Sequence, residues 1–464
     1  MDLIIQGGQI VTPRGPVRAN LLINEDKVAA WFLDGSIKAK KVIDVAGCFI
    51  LPGLIDAHVH IREPGSPETE DFASASSAAA SAGITTIIVM PNTKPPIDNV
   101  ATFKEALDLG NRKSVVDFTL AVEANPEKVS EYRTMFEMGA ASFEISMLSF
   151  PEQRGAGLFG VMQEVSRLGP PLGVFCVDRP IVENTLKLLK EQKGRKDPLA
   201  HAEAYPPFSE AASLSRILIL ANALGAHLHV RQLCTSFAVE VIQWAKRNGI
   251  KLSSEVNPHH LYLTTTDLER LGPVAKMLPP LRSQEDLWAL WKGLRSGTID
   301  MVSTDHAPHP DEEKRRGESD IWKAPSGIPG LETFLPLLLK GLHEGRIDWG
   351  RIVVTACENP AKIFGLYPRK GTLLPGADAD LVIVDPQRHW RFETRDVLSN
   401  AKLTPFQGWE FVGFPVMTLL RGKIISDHRK IIVPLGTGKF VHPIFDRTCL
   451  DVEGVHQIQV DPKK

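Results

Sequence analysis

The stretch FASASSAAASAGITTIIV, residues 72–89, reads as a small-residue helix, a Gly83 break and then the β-rich run Ile84-Thr85-Thr86-Ile87-Ile88-Val89. This is the rhythm of a βα unit. It recurs in β-rich runs at Ser142 to Ser146, Leu172 to Val177, Ala226 to Gln232, Lys251 to Val256 and Ile299 to Thr304. Helical patterns at Glu210 to Leu224 and Phe237 to Arg247 lie between some of them. A parallel sheet follows. Because no Gly-rich phosphate fingerprint succeeds the first strand, the units between residues 53 and 365 suit a closed barrel better than an open sheet. The expected class is therefore α/β, a distorted TIM (β/α)8 barrel.

Outside that region the texture is all strand and turn. Leu3-Ile4-Ile5, Gln9-Ile10-Val11, Leu21-Leu22-Ile23, Val42-Ile43-Asp44 and Phe49-Ile50-Leu51 precede the barrel, and Ala379 to Val384 and Met417 to Leu420 follow it. We expect residues 1–52 and 366–464 to build one small β-sandwich together, although the tail after Lys439 carries little signal. The mixed charge run at residues 311–316 is expected to be a solvated loop.

The 464 residues are 43% hydrophobic and 23% charged, enough apolar chain for a large core and too much for disorder. Lys plus Arg number 53 against 55 Asp plus Glu, a net charge of -2, and no basic stripe collects, so a nucleic-acid partner is not expected. Five scattered cysteines point to a reducing compartment, the cytoplasm by default. The sequence opens without a secretory pattern, and each apolar run is broken before it could span a membrane.

Chemistry concentrates in Gly53-Leu54-Ile55-Asp56-Ala57-His58-Val59-His60-Ile61-Arg62. Two histidines at i and i+2 on a strand share a face, so His58 and His60 can reach one metal ion; a hydrogen-bonded pair at a strand end is the plainer alternative. At Val302-Ser303-Thr304-Asp305-His306-Ala307-Pro308-His309 a strand ends in an acid, where a barrel presents its catalytic groups. Asp305 can ligate a metal and take a proton as general base; otherwise it is a turn or capping residue.

These segments, with Met90-Pro91-Asn92-Thr93, Asn257-Pro258-His259-His260-Leu261, Pro279-Pro280-Leu281-Arg282, residues 327–332 and residues 371–385, resemble the amidohydrolase superfamily over almost the whole chain. The branch resembled contains dihydroorotase, allantoinase and dihydropyrimidinase, and His60-Ile61-Arg62-Glu63-Pro64-Gly65 with Asn92 is most similar to dihydroorotase. The resemblance implies a zinc hydrolase of a cyclic amide and a homo-oligomer. It implies that Arg62, Asn92 and His309 bind the substrate carboxylate. A planar guanidinium suits bidentate capture of a carboxylate, although Arg62 could equally pair with Glu63 or Glu70 at the rim.

Four positions depart from the family pattern. Glu144, in Ser142-Phe143-Glu144-Ile145-Ser146, stands where the resemblance implies a carboxylated lysine; it is either a further metal ligand or an interior acid neutralised by a basic neighbour. Cys176 and Gln232 stand where it implies histidines. Cys176 could bind zinc as thiolate or pack as a small hydrophobe, and Gln232 is a poor ligand. The family's Asn before Pro-Pro-Leu-Arg is replaced by Leu278. The count of ligands leads us to expect one zinc ion, held by His58, His60, Asp305 and Glu144, rather than a binuclear centre. Three functions stay open: a dihydroorotase-like enzyme of pyrimidine biosynthesis, a silent structural subunit beside aspartate carbamoyltransferase, and a hydrolase of a hydantoin, allantoin or another lactam.

Overall fold

The computed structural model describes residues 1–33 and 37–445. Eight parallel strands form one sheet in chain order: β1 (Leu54–Val59), β2 (Ile84–Val89), β3 (Asp117–Glu123), β4 (Ala140–Ser146), β5 (Leu172–Phe175), β6 (Leu228–Leu233), β7 (Leu252–Val256) and β8 (Met301–Val302). The sheet curls until its ends meet. Val59 bridges to His306 in parallel register, and the His60 N–H donates to the His306 carbonyl at 2.8 Å. Helices alternate with the strands, as the small-residue run implied: Phe72–Ser81 begins at a capping box between Asp71 and Ser74 and packs Phe72, Ala75, Ala78 and Ala79 into the core. Gly83, at φ +88°, turns the chain from that helix into β2.

The terminal segments interleave in two further sheets. One has four strands, in the order 27–32, 20–24, 3–6 and 41–44. The other has seven, and there Leu381–Arg391 pairs antiparallel with Phe49–Pro52, matching Leu381 to Pro52 and Val384 to Phe49. Ile5, Leu21, Ile23, Ile50, Leu381 and Leu419 fill one apolar cluster drawn from both ends of the chain. This module is tied to the barrel floor by charge: the buried Lys370 ammonium lies 2.5 Å from Asp117 at the start of β3, 2.8 Å from Asp378 and 2.6 Å from Asp380.

One local expectation is corrected, and one strand is not singled out by the sequence. That strand, Asp117–Glu123, lies inside the sheet between β2 and β4. The charge run is not a solvated loop: Asp311–Arg315 is a short helix, and Lys314 is buried, its Nζ donating to the carbonyls of Lys276 (2.8 Å), Pro325 (3.2 Å) and Gly327 (2.9 Å). One interior ammonium thereby organises backbone that would otherwise lack partners. The tail beyond residue 445 lies outside the described residues.

Candidate active site

His58 lies on β1, His60 follows it, and Asp305 follows β8, so all three gather at the C-terminal end of the barrel where the closing bridge forms. Asp56 ties these two segments together by accepting from the Thr304 N–H (3.0 Å) and from the His58 N–H (3.3 Å). Asp305 Oδ1 lies 3.3 Å from His58 Nε2 and 3.0 Å from His60 Nε2. Behind the imidazoles, His58 Nδ1 faces Glu255 Oε1 at 2.5 Å and His60 Nδ1 faces Asn92 Oδ1 at 2.6 Å. Each Nδ1 thus faces an acceptor oxygen, and each Nε2 is directed at the Asp305 carboxylate.

Two imidazole nitrogens and a carboxylate oxygen therefore converge on one point, a donor set that would suit a divalent cation. Their ligating atoms all lie within 4.8 Å of one another, and the N,N,O set matches what zinc accepts. Burial by itself would raise the Asp305 carboxyl; His58, His60 and His259 outweigh it and hold the group below its ordinary value. Burial likewise opposes charge on His58, but Glu255 and Asp305 prevail and raise it. The second compact acid trio, Asp117, Asp378 and Asp380, already encloses the Lys370 ammonium and offers an ion no room.

Asp305 and Gln232 both hold left-handed backbone, φ +51° and +56°, which non-glycine residues seldom adopt. They touch: Gln232 Nε2 donates to Asp305 Oδ2 at 2.5 Å and to the Leu278 carbonyl at 3.3 Å. Paired strain of this kind at strand ends marks a functional site, and here it fixes the plane of the carboxylate.

Glu144 and Cys176 are not part of this trio. Both Glu144 oxygens are held by the buried Arg231 guanidinium, at 2.6 Å and 3.0 Å, so the neutralised interior acid describes its setting. Cys176 is buried with its Sγ 3.8 Å from the Val174 carbonyl, and burial pushes its thiol up, away from the thiolate a metal needs. Arg62 and Asn92 line a cavity of about 540 Å³ that opens over His58, His60 and Asp305. His309 stands one step back, its Nε2 donating at 3.0 Å to the carbonyl of Ser326, which lines the same cavity; burial lowers it to about 3, so the ring is neutral.

Sequence reasoning missed Arg231, Glu255 and His259. Arg231 Nη1 reaches Glu255 Oε2 at 3.0 Å, and His229 Nε2 reaches the same oxygen at 3.2 Å. The signal was an arginine and a glutamate inside adjacent strands that otherwise read as buried, a combination that needs pairing. His259, inside Asn257-Pro258-His259-His260, is buried with no hydrogen-bond partner at Nε2 among the described residues, and it couples electrostatically to Asp305 and His58.

Residues 49–425 match the family model described as "Amidohydrolase family". The chain is 36% identical to an L-hydantoinase from Paenarthrobacter aurescens, over 95% of this chain and 98% of the relative. It is 39% identical to a dihydroorotase from Methanothermobacter thermautotrophicus, over 88% and 90% respectively. Among solved structures it is similar to the L-hydantoinase (dihydropyrimidinase) from Arthrobacter aurescens, with TM-score 0.92 and 36% identity over 95% of this chain and 99% of that one. The dihydropyrimidinase from Brevibacillus agri follows the same fold, with TM-score 0.89 and 27% identity over 96% and 99%.

Proposed function

The chain belongs to the amidohydrolase family, in its cyclic amidohydrolase branch, and from that premise we propose that it hydrolyses a ring amide bearing a carboxylate, as in the interconversion of dihydroorotate and N-carbamoyl-L-aspartate. One observation carries the choice. The Arg62 side chain lines the cavity without a hydrogen bond or ion pair among the described residues. Its candidate rim partners are engaged elsewhere: Glu63 pairs with Lys113, and Glu70 holds Ser74, Ser399 and, at 3.2 Å, His306. A half-buried guanidinium facing an open cavity is matched by a planar anion. Asn92, whose Oδ1 is used by His60, keeps its NH2 for the same ligand.

The family is metal-dependent, and His58, His60 and Asp305 would hold one zinc ion. When bound, zinc supplies Lewis acidity that polarises the scissile carbonyl and acidifies water. Asp305, oriented by Gln232, takes a proton from the attacking water and returns it to the ring nitrogen as the C–N bond breaks. Arg62 and Asn92 fix the ring through its carboxylate, so the reacting carbonyl is presented to the His58–His60 side. The scattered cysteines, four of them free among the described residues, accord with a reducing compartment such as the cytoplasm.

A second reading rests on the other wall of the cavity. Phe150, Phe175 and Leu278 line it and would favour an apolar ring substituent, as on a 5-substituted hydantoin. Turnover separates the two. Dihydroorotate should be hydrolysed, and Arg62→Met should raise its KM about 100-fold, the scale of a lost charge-assisted bidentate contact. Turnover of hydantoins alone, unchanged by Arg62→Met, would replace the first reading with the second.

A further inference from the structure

Between β4, β6 and β7 lies a buried charge chain that the reaction outlined above does not use. Glu144 and Glu255 face each other across Arg231, which is 2% exposed. The guanidinium holds Glu144 through Nε (3.0 Å) and Nη2 (2.6 Å), and Glu255 and the Ala57 carbonyl through Nη1 (both 3.0 Å). Glu255 spends its other oxygen on His58 Nδ1. On its far side Glu144 presses against bare backbone: a Cβ on Gly173 of β5 would lie 2.0 Å from Glu144 Oε2. No side chain of β5 therefore enters at that point.

Two interior carboxylates that both line or adjoin the candidate metal site would attract a divalent ion if they were free. Here a cation that cannot lose its proton already bridges them and offsets one of their two charges. We infer that Arg231 is a resident cation which fills the position between Glu144 and Glu255 and so limits the site to one metal ion per chain. The inference rests on the metal reading of His58, His60 and Asp305. It assigns Arg231 part of the charge compensation a second ion would supply, with a fixed geometry and no dependence on metal supply.

Metal content tests it without recourse to activity. The full-length chain, loaded with excess zinc and desalted, should hold one ion by elemental analysis, and its cobalt-substituted form should lack the magnetic coupling of an ion pair. Arg231→Gln, which releases both acids, should bind two ions, whereas Arg231→Lys, which keeps the charge, should bind one. Two ions in the wild-type chain, two in Arg231→Lys, or one in a folded Arg231→Gln would overturn the inference. The wild-type count stands even if Arg231→Gln does not fold. Zero ions in the wild-type chain would instead remove the metal reading and the inference together.

Discussion

Glu255 acts at the scale of a single residue, because its carboxylate fixes which nitrogen of His58 carries the proton. Such acid–histidine contacts behind a metal ligand contribute about 10- to 100-fold in metal affinity. Glu255→Gln should weaken zinc binding by that factor in a chelator competition; an unchanged affinity would show that His58 needs no orienting partner. Asp305 has the opposite standing, since it touches both imidazoles and Gln232 directly. Asp305→Ala should retain the far-ultraviolet spectrum and lose essentially all turnover, and full turnover would remove the mechanism. These residues differ in legibility for a physical reason. His58, His60 and Asp305 sit at strand ends beside recognisable local sequence, whereas Arg231 and Glu255 acquire meaning only as neighbours across β6 and β7.

Elements approach each other in this barrel as closely as backbone allows, and glycines mark the contacts. A Cβ on Gly53, before β1, would meet Thr85 Oγ1 of β2 at 2.1 Å. On Gly173 it would meet the Glu144 carboxylate. Gly173→Ala must displace that acid from the Arg231 fork, and overpacking of this kind costs about 1–3 kcal/mol. We expect a lower melting temperature by calorimetry; an unaltered one would mean that β4 and β5 can separate freely. At this scale the sequence was read well where a strand and its helix differ in texture, as at residues 72–89. Asp117–Glu123, a buried strand of the same sheet, was not singled out.

The whole molecule depends on joining barrel to β-sandwich, and Lys370 does so among Asp117, Asp378 and Asp380. Lys370→Met would leave buried Asp380 without a charged partner, while Asp117 keeps Arg421 and Asp378 keeps Lys27 and Arg369, a loss of about 3–5 kcal/mol that urea unfolding would register as an earlier midpoint. Acid should also unfold the protein early. Burial lowers His201 and His227 to about 3 from an ordinary 6.5, so both are neutral in either state above pH 6.5 and their contribution is fully present there. As the pH falls below 6.5 the unfolded chain takes protons that the folded chain refuses, and stability is lost by up to about 1.4 kcal/mol per pH unit for each group. Unfolding midpoints measured from pH 7 down to pH 4 should fall steadily, and a flat profile would contradict this. By itself the sequence determined the barrel, the pairing of the two β-rich ends and the His58–His60–Asp305 trio, because periodicity and strand-end placement are local properties of the chain. Only the tertiary structure decided that Glu144 belongs to Arg231 and that Arg62 faces the cavity unpaired, because ion pairing depends on which side chains the closed barrel brings within 3 Å of each other.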